Sequence, residues 1–200
     1  EHEHAAGALT ATSLSNVLHG LNDQGFAMLE NAVPLDAIEP VHGAYMDSCA
    51  LGKPLKSPPL SMPFVDHSLI ANPLVVQVMR AAMGDKIAWG LYYIHAVPPR
   101  SGHEAPPHKD GNPIFPELPF ALPISGLSVD IPLDDFTEEN GATRLWLGSM
   151  PNGTDETRAM ISLGYTCVFP HAHERLPLPT EHKRHWPQET RSVLKTGFVN

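Results

Sequence analysis

Two hundred residues, 42% of them hydrophobic, suit one domain with a sizeable core. A net charge of −9 with histidines neutral speaks against a nucleic-acid partner, which calls for a basic footprint, and no stretch approaches the roughly 18 apolar residues of a membrane span. Two cysteines, Cys49 and Cys167, make no disulfide framework; they read as small buried or half-buried side chains, and a reducing, cytoplasmic setting is expected.

The chain opens Glu-His-Glu-His, with neither an initiator Met nor a signal-peptide pattern, so a trimmed, processed or fragmentary N-terminus is expected. Leu14, Val17, Leu18 and Leu21 recur at helical spacing and predict a helix over Leu14–Asp23, with Ser13 as N-cap and Gly25 past its end. Phe26–Glu30 reads as a short strand. Pro34 then opens a second helix as its first-turn proline, and that helix runs to about Ala50. Residues 51–69 read as irregular. Pro73 opens a third helix that Gly84 closes, with Val75, Val78, Met79 and Met83 as candidate buried positions.

Ile87–Val97 is apolar and aromatic and predicts a core strand. Further strands are expected near 126–132 and 143–147, around the acidic turn Leu133-Asp134-Asp135-Phe136-Thr137-Glu138-Glu139-Asn140-Gly141. Prolines number 21 and cluster at 54–63, 98–123 and 170–187, which predicts long loops rather than helices there. Helices first and strands after give an α+β domain over residues 1–200, without internal repeats.

His108-Lys109-Asp110 is the motif that carries chemistry. On an extended backbone, positions i and i+2 project from one face, so His108 and Asp110 can reach a single metal ion. They would be two of the three ligands of a 2-His-1-carboxylate facial triad, the arrangement that leaves open positions on non-heme Fe(II). The plain alternative is a surface His beside a surface Asp, since the chain has 12 His and 22 acidic residues.

In order along the chain, His108-Lys109-Asp110-Gly111, Val129-Asp130-Ile131-Pro132-Leu133-Asp134-Asp135, Glu139-Asn140-Gly141-Ala142-Thr143 and Leu147-Gly148-Ser149 resemble the phytanoyl-CoA dioxygenase-like family of Fe(II)/2-oxoglutarate oxygenases. Gly25–Pro34 resembles that family's opening strand and turn. Where the family usually places His after Gly-Ser, this chain has Met150. The resemblance implies a double-stranded β-helix, a jelly-roll barrel of the cupin type, with the N-terminal helices packed against it. It implies Fe(II) and 2-oxoglutarate as cofactors, with dioxygen and a small, fairly apolar organic molecule as reactants. It also implies a distal His and, about ten residues beyond, an Arg whose planar fork meets the far carboxylate of 2-oxoglutarate.

Within the chain, His171 or His173 could be the distal ligand and Arg191 the carboxylate partner, with His182 and His185 as further histidines in that region. The rival reading is that Arg191–Asn200 resembles the start of the distal strand, so that the chain stops before its ligand and these are ordinary loop histidines. The Thr143 hydroxyl could meet the cosubstrate, or Thr143 is a plain strand residue. Asp134 and Asp135 could be a carboxylate pair, but turn capping and solubility explain them better. Glu104 near His108 reads as a solvated loop acid. Trp89, Tyr92 and Tyr93 divide between pocket lining and core, and His95 reads as a barrel residue rather than a ligand. A non-catalytic or decayed jelly-roll binding protein with an incomplete triad is the alternative to the enzyme.

Overall fold

The computed structural model describes residues 2–85, 87–97, 124–137, 158–167, 177–179 and 197–199, together with Arg184, Trp186 and Gln188. Helices occupy the first part and strands the second, in the α+β order expected. The helices are α1 (His2–Ala6), α2 (Ala11–Asp23), α3 (Leu35–Ala50), α4 (His67–Ile70) and α5 (Pro73–Met83).

α2 begins one turn before the expected start. Thr10, not Ser13, is the N-cap, and its hydroxyl accepts from the Ser13 N–H at 3.2 Å. Leu14, Val17, Leu18 and Leu21 are each half-buried, so the apolar stripe is present but thinly covered. Phe26–Glu30 is not a strand. Nothing among the described residues pairs with it in a ladder, and its side chains divide between Leu29, which packs on the core, and Met28, which is exposed.

In α3, Pro34 is the N-cap rather than the first helical residue. Pro40 lies inside the helix, where it has no N–H to give the carbonyl of Asp36, a cost of about 3 kcal/mol. The buried Val41 and Tyr45 on the same helix anchor it against the core and offset that loss. The stretch expected to be irregular contains the single turn α4, capped by Asp66. α5 has the expected bounds, and Gly84 follows it with φ 84°, a backbone conformation that favours glycine.

Asn72, 3% exposed, fastens α5 to its surroundings. Its Oδ1 accepts from Leu74 N and Val75 N, and its Nδ2 donates to Ala32 O at 2.7 Å and Ser68 O at 3.3 Å. One side chain therefore caps the helix and ties the chain before α3 to the chain after α4.

Among the described residues five strands follow: β1 (Ile87–Val97), β2 (Gly126–Pro132), β3 (Arg158–Cys167), β4 (Pro177–Pro179) and β5 (Gly197–Val199). β1, β3 and β2 form an antiparallel sheet in that order, and β4 pairs with β5 in parallel. β1 and β2 match expectation. β3, the centre of the larger sheet, was not expected. The closed barrel is not completed by the described strands. The strand expected at 143–147 and the Asn140-Gly141 turn lie outside the described residues.

One core joins the two layers. Val41, Tyr45, Leu69, Ile70, Val75, Val76 and Met79 from the helices meet Ile87, Trp89, Tyr92, Ile94, Ile131, Leu133 and Leu163 from the sheet. Each fully buried aliphatic or aromatic side chain contributes about 1.5–3 kcal/mol. Trp186 is buried in the same cluster.

Candidate active site

Among the described residues, β1 is the strand nearest in sequence to His108-x-Asp110. Alternation puts Ile87 and Trp89 on the helix side. Between Trp89 and Leu91 the register to β3 shifts, because two residues of β1 advance while β3 advances from Tyr165 to Gly164. After this bulge the helix-side residues are Tyr92, Ile94 and Ala96, while Tyr93 and His95 belong to the other face.

Trp89 and Tyr92 are core residues, 5.1 Å apart between ring centroids. The Tyr92 hydroxyl donates to Phe64 O, and Ile94 N donates to Lys56 O at 2.9 Å, so β1 is stitched to the chain that precedes α4. The Trp89 indole N–H is buried with no hydrogen-bond partner among the described residues. Tyr93 and His95 are half-buried, with ring centroids 6.2 Å apart. His95 is thus a residue of the β1 strand.

The end of β2 carries a second polar constellation. Asp134 Oδ1 lies 2.9 Å from His42 Nε2 of α3. Turn capping and solubility are therefore not the whole account of Asp134, because it also ties the end of β2 to the helical layer. Tyr45 lies one turn along α3 from His42. Burial pushes its phenol above the ordinary tyrosine value, and a hydrogen bond with Cys49 and the neighbouring Cys49 and Asp134 act in the same direction. Tyr45 accordingly stays neutral at working pH. Sequence reasoning missed His42; its only signal was a histidine on the inner face of a predicted helix.

His108 and Asp110 lie outside the described residues, as do Thr143, Met150, His171, His173, His182, His185 and Arg191. Among the described residues no group of three or more His, Cys, Asp or Glu side chains is placed to hold a metal ion. Nor, among them, is any helix long and apolar enough to cross a membrane.

Comparison with solved structures finds a non-heme monooxygenase, the ThoJ–Ni complex, at 15% identity and a TM-score of 0.50, covering 77% of each chain. At that identity the likeness is one of fold. The profile of the phytanoyl-CoA dioxygenase (PhyH) family matches residues 52–186. The family and this solved structure imply a cupin-like jelly-roll fold, and β1, β3 and β2 form the larger sheet among the described strands. A match over more than half of the sequence, running from the turn after α3 to Trp186, makes this chain a member of the phytanoyl-CoA dioxygenase family.

Proposed function

We propose that the protein is an Fe(II)/2-oxoglutarate-dependent dioxygenase that hydroxylates or otherwise oxidises a small organic molecule. The observation that carries this reading is the family match, which spans His108-x-Asp110 and the acidic turn that follows β2. An imidazole and a carboxylate are a donor set that suits Fe(II). His108 and Asp110 would hold the ion, with His173 or His171 as candidates for the third ligand and a distal His beyond Asn200 as the rival. When bound, Fe(II) supplies a centre at which 2-oxoglutarate and dioxygen meet.

The chain's own residues do the rest. Arg191 is the candidate to pair with the far carboxylate of 2-oxoglutarate, and the Thr143 hydroxyl is a candidate to meet the cosubstrate. The apolar core under β1 and β2 holds these strands rigid, so that substrate is oriented rather than free to tumble. Exclusion of bulk water from the interior of a jelly roll keeps the oxidising chemistry on substrate.

One specific feature favours a second reading. Met150 stands where the family usually has His after Gly148-Ser149, which suits a jelly-roll protein that binds without turnover. Anaerobic calorimetry with Fe(II) and 2-oxoglutarate, followed by an assay for succinate release in air, separates the two. The enzyme reading expects binding of both and succinate formation, with binding and turnover lost together in His108→Ala. Binding of an organic ligand with no affinity for 2-oxoglutarate would favour the second.

A further inference from the structure

The two faces of the β1–β3–β2 sheet differ in chemistry. Toward the helices the sheet is apolar: Ile87, Trp89, Ile94, Ile131, Leu133 and Leu163 are buried there. The opposite face carries a phenol and an imidazole on β1, at Tyr93 and His95, both half-buried. On β2 it carries exposed Ser128 and Asp130. The register puts Tyr93 and Asp130 in one row across Ser162, and His95 and Pro132 in the next row across Met160. The bulge at Gly90 makes this division possible. Without the extra residue, the parity of Ile87 and Trp89 would continue, and Tyr93 and His95 would turn into the apolar core.

A sheet face that meets a second apolar layer is itself apolar, and Tyr93, His95, Ser128 and Asp130, the described side chains named on this one, are not. In a jelly roll, one face of such a sheet looks outward and the other lines the interior. Helices cover the apolar face here, which leaves the polar face for the interior of the roll that the oxygenase reading implies. We propose that Tyr93 and His95 form a polar wall of the substrate pocket, selecting a small organic substrate that bears a hydroxyl or a comparable hydrogen-bonding group over its plain hydrocarbon analogue. The proposal rests on the oxygenase reading, and it replaces the sequence-based expectation of a fairly apolar substrate. A phenol offers one donor and acceptor, and a neutral imidazole offers one of each. An analogue without the hydroxyl leaves these groups desolvated and unpaired, and that penalty is the source of selectivity.

The test uses matched probe pairs: octanoate with 8-hydroxyoctanoate, 3-phenylpropionate with 3-(4-hydroxyphenyl)propionate, and cyclohexanecarboxylate with its 4-hydroxy derivative. Binding is read by ligand-observed NMR, and protection of His95 from diethyl pyrocarbonate by mass spectrometry. In at least one pair the hydroxylated member should bind about tenfold tighter and protect His95. Tyr93→Phe, which removes a single oxygen, and His95→Phe should each reduce that preference severalfold, while His95→Gln keeps part of it. Calorimetric affinity for 2-oxoglutarate should stay unchanged in all three. No preference in any pair, a preference that survives both Phe variants, or loss of 2-oxoglutarate affinity instead would each overturn the assignment. A wild-type protein that binds no 2-oxoglutarate sinks the oxygenase reading alone, because the hydroxyl preference is measured without it.

Discussion

Asn72 shows how much one buried amide can hold. It was unremarked in the sequence because Asn before Pro reads as a generic turn signal, and only the fold shows which distant carbonyls it meets. Its oxygen caps α5 and its nitrogen bonds to Ala32 O, forty positions away in sequence. We expect Asn72→Ala to cost about 2–3 kcal/mol, combining a lost cap with a half-buried carbonyl left without its donor. Asn72→Asp keeps the cap but turns a second acceptor toward two carbonyls, so it should destabilise as well. Urea denaturation checks both, and a cost below about 0.5 kcal/mol for either would show that the amide does not tie the two segments. The candidate ligands are the opposite case. His108 and Asp110 can be named as candidates from sequence alone, because chemistry at i and i+2 is written locally, whereas a third ligand comes from a distant segment that no local pattern specifies.

At the scale of elements, legibility followed the strength of the local period. α5 has Asn and Pro at its start, Gly at its end and an apolar stripe between, and it came out with the expected bounds. β1 was announced by a run of mostly apolar and aromatic residues. β3 did carry a signal: Ala159, Ile161, Leu163 and Tyr165 alternate with other residues at the period of a strand. A glycine in mid-strand, Gly164, weakens that pattern. Phe26–Glu30 shows the converse error, since strand propensity without a ladder partner makes no strand.

The junction of α1 and α2 was not legible either, because it depends on a side chain reaching across a turn. Glu3 Oε1 accepts from Thr10 N at 2.6 Å. Hydrogen bonds from the Ser13 hydroxyl first, and from Thr10 N–H and hydroxyl after it, lower the Glu3 carboxyl from 4.5 to about 2. A depressed folded value means that the clip is fully present above 4.5 and is lost as pH falls through about 2. The Thr10 amide resonance should therefore titrate with a midpoint near 2 rather than 4.5, and it should be flat in Glu3→Gln. A midpoint at the ordinary carboxyl value would show that the clip does not form in solution.

For the whole molecule, metal binding and stability are one measurement. The helical layer and the β1–β3–β2 sheet share a core that needs no ion. The chain between β1 and β2 carries His108 and Asp110, and after β3 it carries His171 and His173. An ion bound by His108 and Asp110 would close the first of these segments on itself; a third ligand at His171 or His173 would tie it to the second. Binding to the folded state alone at one hundred times Kd stabilises by about 2.7 kcal/mol, or roughly 5–11 °C in Tm for a domain of this size. We expect anaerobic Fe(II), or Mn(II) as a redox-silent substitute, to raise Tm within that range, and EDTA to reverse it. His108→Ala and Asp110→Ala should each abolish the shift, with the metal-free Tm of each variant measured alongside. The same measurement decides between the readings of the third ligand. A shift lost in His173→Ala or His171→Ala identifies the third ligand within this chain. A shift that both variants retain places the third donor elsewhere. No shift at all with wild-type protein, at metal concentrations that load other facial-triad proteins, would mean that His108 and Asp110 do not act as ligands in this chain.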